Sequence, residues 1–172
     1  LPDYVKKDYI KKGKARTGEK LSSVENIVIH YTANPGTTAK NNRDYFAQKD
    51  TEVCSHFVVG IDGEIIQCLP INEKSAASNN RNIDTISVEV CHKDKSGKFS
   101  KEAYDSAVKL TAWLCKNSGL NFNDVIRHYD ITGKDCPKYY VKNKDAWRQF
   151  KLDVKDKMLK TKIEIPKKEK DG

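Results

Sequence analysis

The chain has no uninterrupted apolar stretch long enough to cross a bilayer, and no basic segment followed by an apolar one near its start. Membrane insertion is therefore not expected. It has no repeated Cys-x-x-Cys pair, no basic zipper and no aromatic-basic run that could stack on bases. These absences count against nucleic acid as a partner, despite a formal charge of +8. No internal repeat is visible. The five cysteines (Cys54, Cys68, Cys91, Cys115 and Cys136) are odd in number and not closely spaced, which does not suit a disulfide framework. The first residue is Leu1 and not Met, which leaves room for a leader removed upstream.

What is present suits one domain. A length of 172 residues predicts a single core over residues 1–160, with residues 1–20 as an N-terminal arm and residues 161–172 as a charged tail or linker. The basic balance, with a pI of about 9.1, favours anionic partners, and a polyanionic cell wall suits it as well as any.

Ile27 to Tyr31 is rich in β-branched residues and predicts a buried strand, broken by Asn34-Pro35-Gly36. Thr38 to Lys49 reads as a helix. Val53 to Ile61 and Glu64 to Leu69 read as a hairpin, with Asp62-Gly63 expected in a type I′ turn. Glu73 to Asp84 is a polar loop, and Thr85 to Cys91 a strand. Ser100 caps a helix running to Asn117, ended by Ser118-Gly119. Val125-Ile126 is a short strand, and Lys144 to Lys160 a second long helix.

Chemistry concentrates in Arg127 to Pro137. His128 and Cys136 lie eight positions apart, too far for one helix face, so a loop must fold back to unite them. His30 ends the first buried strand. Two imidazoles and a thiolate can hold zinc and leave its fourth position open to water, as catalytic zinc sites do. A rival reading makes Cys136 a nucleophile with His128 as its base, a thiol peptidase. Glu89 lies in Ile86 to Cys91; by alternation Ser87, Glu89 and Cys91 share one face. Beside a zinc-bound water, Glu89 could act as general base. Lys134, two residues before Cys136, could stabilise an oxyanion. His56 could be a fourth ligand but reads better as a hydrogen-bonded strand residue, and His92 is given no role.

Four segments in this order resemble the zinc N-acetylmuramoyl-L-alanine amidases of the amidase-2 type, relatives of T7 lysozyme and of peptidoglycan recognition proteins. They are Ile27 to Asn34, Ser55 to Val59 with Asp62-Gly63, Ile86 to Glu89, and Arg127 to Pro137. The resemblance covers about residues 5–158. It implies an α/β fold with a mixed central sheet flanked by helices. It implies Zn2+ held by His30, His128 and Cys136, with Glu89 and Lys134 as catalytic residues. The implied substrate is peptidoglycan, cut between N-acetylmuramic acid and L-alanine, at the bacterial cell wall, by a phage endolysin made in the host cytoplasm or by a secreted autolysin. A monomer is expected, with a C-terminal wall-binding domain beyond Gly172. The alternative on the same fold is a non-catalytic peptidoglycan-binding module; Cys136 favours the enzyme. Two departures stand out. Ser55 occupies the place of a tyrosine found in T7-type members, and the stretch Ser75 to Asn80 lacks a Trp-His pair found in many relatives.

Overall fold

A computed structural model describes residues 1–160 in full and residues 161–171 as backbone only. Six strands form one sheet: β1 Val5–Lys7, β2 Asn26–Tyr31, β3 Phe57–Val59, β4 Ile65–Gln67, β5 Thr85–Val90 and β6 Val125–Arg127. Their order is β1-β4-β3-β5-β2-β6, and only β3 and β4 run antiparallel. Helices α1 (Ala39–Phe46), α2 (Lys101–Asn117), α3 (His128–Thr132), α4 (Lys138–Lys142) and α5 (Lys144–Asp171) surround it. The expected mixed sheet flanked by helices is borne out. None of the helices is long and apolar enough to cross a membrane, among the described residues.

The central strands are covered on both sides, which explains their nearly continuous apolar sequence. On one face Ile27, Ile29, Phe57, Val59, Val88 and Val90 pack against Ala107, Leu110 and Leu114 of α2 and Trp147, Phe150 and Val154 of α5. On the other, Val58 and Ile66 meet Ala39 and Phe46 of α1 and Ile10 and Ala15 of the arm.

Local chemistry sets the element ends. Thr38 caps α1 in a reciprocal box with Asn41, and Ser100 Oγ accepts from the Ala103 N–H to start α2. Gly119, at φ +69°, ends α2 as expected. α1 stops at Phe46, short of Lys49.

Several expectations need correction. The β3–β4 hairpin forms, but not on a type I′ turn: Gly63 has φ +89°, whereas Asp62 is not among the residues with positive φ. The Gly63 N–H donates to Gly60 O, and the Gly60 N–H to Glu64 O, so the three residues 61–63 make a turn closed by a left-handed glycine. The strands around it are shorter than predicted. β3 begins only at Phe57, because Cys54 pairs with Ala76 instead; the His56 carbonyl still accepts from the Cys68 N–H at 2.7 Å.

The arm is ordered. β1 extends the sheet beside β4, and the Arg16 guanidinium holds the buried Glu73 carboxylate at 2.8 and 2.9 Å. α3 replaces part of what reads as loop, and α4 falls where no element is read; five residues give too little periodicity to announce a helix. The assignment of α5 runs past Lys160, where the sequence reading ends it. The side chains expected to form the charged tail over residues 161–172 lie outside the described residues.

Candidate metal centre

The parallel strands β2, β5 and β6 bring their C-terminal ends to one edge of the sheet. This is where open α/β sheets place their sites. His30 lies opposite Glu89 in the β2–β5 register. Ile29 lies opposite Arg127 in β2–β6, so His128 follows directly as the first residue of α3. Arg127 pins that helix start: its guanidinium donates to both oxygens of Asp130 and to Tyr140 O.

The chain then turns back. Gly133, at φ +81°, closes α3, and the Tyr129 N–H donates to Cys136 O at 3.0 Å. That fold-back carries Cys136 to the two histidines. One donor atom from each of His30, His128 and Cys136 lies within 4.8 Å of the others, and all three residues are buried. His30 Nδ1 stands 3.8 Å from Cys136 Sγ, and the two imidazoles meet edge to face with centroids 4.8 Å apart.

The ring nitrogens divide into two sets. His30 Nε2 lies 3.3 Å from Ser78 Oγ, and His128 Nε2 donates to Asn79 Oδ1 at 2.7 Å. The Nδ1 atoms face inward. His128 Nδ1 is buried without any partner, an uncommon state that a bound cation would relieve. Burial, and then the charges of His128 and Lys134, hold the His30 pKa well below its ordinary value; burial and Lys134 lower that of His128. Both rings are therefore neutral near pH 7, the state a metal needs. The donor set of two neutral imidazoles and one thiol fits zinc, with room for a fourth ligand.

Glu89 points to the same side as Ser87 and Cys91, as alternation predicts. Ser87 Oγ contacts Ser78 Oγ at 3.0 Å and Cys91 joins the α1-side cluster, while Glu89 lines the same pocket as His30, His128 and Cys136. Burial pushes its carboxyl up to about 8, with the Lys134 ammonium opposing the shift. Lys134 is exposed at the mouth of that pocket, a groove of about 670 Å³ that Tyr45, Phe46, Val53 and Asn82 also line. So all five residues singled out in the sequence surround one cavity.

The thiol-nucleophile reading fares worse. Cys136 is only 3% exposed, and burial, followed by the Glu89 charge, pushes its thiol up to about 12. A nucleophilic cysteine needs the opposite shift.

His56 is not a ligand. Its Nδ1 accepts from the Ser87 N–H at 3.1 Å, so Nε2 carries the proton and donates to Glu73 O at 2.6 Å. Ser55 is fully buried, with its hydroxyl donating to Phe57 O, and so takes no place in the groove. Ser78 and Asn79 had no role in the sequence reading. A hint was available in the Ser75 to Asn82 run, because asparagine tolerates the left-handed region and Asn79 adopts φ +56°.

A two-histidine, one-cysteine cluster at the strand ends of a mixed sheet, with a carboxylate and an ammonium beside it, has the form of a metallohydrolase site. The chain belongs to the N-acetylmuramoyl-L-alanine amidase family, whose model matches residues 20–139. It is 36% identical over 164 residues to the N-acetylmuramoyl-L-alanine amidase BlyA of Bacillus subtilis (strain 168), covering 83% of this chain and 44% of that protein. It is 36% identical over 168 residues to CwlL of Bacillus licheniformis, an N-acetylmuramoyl-L-alanine amidase, covering 87% and 46%. The chain thus spans about half the length of the curated relatives it matches. The catalytic domain of XlyA superposes with a TM-score of 0.77 at 29% identity, covering 87% of this chain and 98% of that one.

Proposed function

We propose that the chain hydrolyses the amide between the lactyl group of N-acetylmuramic acid and L-alanine in peptidoglycan, with zinc held by His30, His128 and Cys136. The observation that carries this reading is the convergence of three metal-binding donors, one an orphaned buried nitrogen, beside a carboxyl group raised to about 8. Family membership supplies the bond and the polymer. Activity at the bacterial cell wall follows from that substrate.

Zinc bound there supplies a Lewis acid and a water molecule acidic enough to ionise near pH 7. Cys136 and the two imidazoles hold the ion. Glu89 takes the proton of the attacking water and returns it to the leaving amine of L-alanine. That double duty suits a carboxyl group whose proton affinity lies near the working pH. Lys134, at the groove mouth, places its ammonium against the oxyanion of the tetrahedral intermediate. The groove beyond, past Tyr45 and Val53, receives the polymer.

The test is product analysis on purified peptidoglycan, before and after EDTA treatment and zinc restoration. New L-alanine amino groups without new reducing sugar, lost with EDTA and regained with zinc, are expected. Full activity after exhaustive metal removal would overturn the zinc centre. Retained pelleting with the wall but no product from zinc-loaded protein would move the chain to the binding modules.

A further inference from the structure

The loop Glu73 to Asp84 lacks the aromatic-imidazole pair expected from relatives, yet it supplies the outer partners of both histidines. We infer that Ser78 and Asn79 are positioning residues: two consecutive side chains that fix both imidazoles with Nδ1 turned toward Cys136. The inference rests on the proposed metal centre and adds to it the part of the chain that orients it.

Three observations carry it. First, both rings meet this loop through Nε2. Asn79 Oδ1, an acceptor, takes the Nε2 proton of His128 at 2.7 Å, and Ser78 Oγ lies 3.3 Å from His30 Nε2. On His128 that proton leaves a bare lone pair on Nδ1, and the Ser78 hydroxyl can accept the same proton from His30. Histidine ligands in metal sites are commonly oriented in this manner by the bond that their second nitrogen makes.

Second, the backbone is bent to allow it. In an extended chain, neighbouring side chains point to opposite sides. At φ +56°, Asn79 leaves that geometry, so that it and Ser78 reach two different rings of one cluster. The Ala77 and Ser78 N–H groups both donate to Asn82 Oδ1, at 3.1 and 2.6 Å, which locks the bend from inside the loop.

Third, the loop is tied into the molecule behind the site. Ser78 is fully buried, and its hydroxyl also meets Ser87 Oγ at 3.0 Å on β5. The Ser87 N–H donates to His56 Nδ1, and His56 Nε2–H donates to Glu73 O. The Glu73 carboxylate is gripped by Arg16 of the arm. A continuous series of hydrogen bonds thus runs from the N-terminal arm to His30. His30 ends β2 and His128 opens α3, and Ser78-Asn79 meets the outer nitrogen, Nε2, of both.

Zinc affinity of the whole chain, measured by competition with a chromophoric chelator, tests this without relying on turnover. Cobalt substitution adds a spectrum that reports ligand geometry. Ser78→Ala and Asn79→Ala are each expected to weaken zinc by about 10–100-fold, with Asn79→Ala toward the lower end because that side chain is exposed. Asn79→Gly suits the positive φ and removes only the acceptor, so it should weaken zinc like the alanine variant while unfolding normally. Asn79→Asp keeps an acceptor and cannot donate, so it should bind zinc at least as tightly as wild type. Wild-type affinity in Ser78→Ala, Asn79→Ala and Asn79→Gly overturns the inference and leaves the metal centre standing. Weaker binding by Asn79→Asp overturns the assigned direction of the bond. Failure of the wild-type chain to bind zinc stoichiometrically removes the metal centre and this inference with it.

Discussion

The two faces of the sheet are built from the same strands and do opposite work. Toward α2 and α5, the side chains of β2, β3 and β5 are Ile27, Ile29, Phe57, Val59, Val88 and Val90. Toward α1 and the groove, the alternate positions of β2 and β5 include His30, Ser87 and Glu89, all in polar or charged surroundings. One face gains from burial alone, since each large apolar side chain removed from water contributes about 1.5–3 kcal/mol. The other buries groups that lose hydration and need partners. Ser78, Ser87 and the outer nitrogens of His30 and His128 are hydrogen-bonded, whereas His128 Nδ1 is buried without a partner and aims at the proposed metal position.

The largest effect that would sharpen this contrast is Glu89→Gln. It should lower amidase turnover by about 10²–10⁴-fold and leave zinc affinity nearly unchanged, as measured by product release and chelator competition. A Glu89→Gln enzyme with full turnover breaks the proposed division of labour. On the apolar face, Phe150→Ala should act in the reverse sense. Phe150 is fully buried and stacked on Trp147, so its loss should cost about 3–5 kcal/mol in urea unfolding while the folded protein keeps its zinc affinity.

Arg16→Ala probes the join between the arm and the polar face. It leaves the Glu73 carboxylate buried and unpaired, for an expected loss of about 3 kcal/mol, again read by urea unfolding. Removing the partner charge should matter far more here than at an exposed pair such as Lys101 and Asp105, where solvent screens the attraction.

The smallest effects concern pH, in the metal-free chain. His56 titrates near 4 in the folded protein because burial disfavours its charge, below its ordinary value of 6.5. The unfolded chain therefore binds more protons between those values, and stability is full above pH 6.5 and falls on acidification toward 4. Glu89 has the opposite sign. Its folded value of about 8 exceeds the ordinary 4.5, so its contribution is full below 4.5 and is lost as pH rises through 8. Each effect should be about 1–3 kcal/mol, since Glu89 keeps some solvent contact in the groove. Glu89→Gln should abolish the alkaline decline and leave the acid one. Equal pH profiles for wild type and Glu89→Gln would break this assignment.

Much of the site was legible because its residues are chemically rare and sit at element ends. His30 closes a β-branched run, Glu89 interrupts another, and Cys136 precedes a proline. The α2 cap at Ser100 and its end at Gly119 were equally readable, since capping is a contact between residues three to five apart. The hairpin was found but its turn misassigned: Asp62-Gly63 suits two turn families, and only the backbone chooses between them.

The sequence alone singled out His30, His128, Cys136, Glu89 and Lys134 as candidates, and it showed the alternation that puts Glu89 on the side of Ser87. Those depend on residue type and on periods of two or nearly four. Only the tertiary structure decided that Ser78 and Asn79 hold the imidazoles, that Arg16 anchors the loop through Glu73, and that α3 and Gly133 return Cys136 to His30. These contacts join residues 49, 57 and 106 positions apart. Serine, asparagine and arginine carry no local signal of such partners, because a hydrogen bond across the fold is specified by where the strands end and not by the residues beside it.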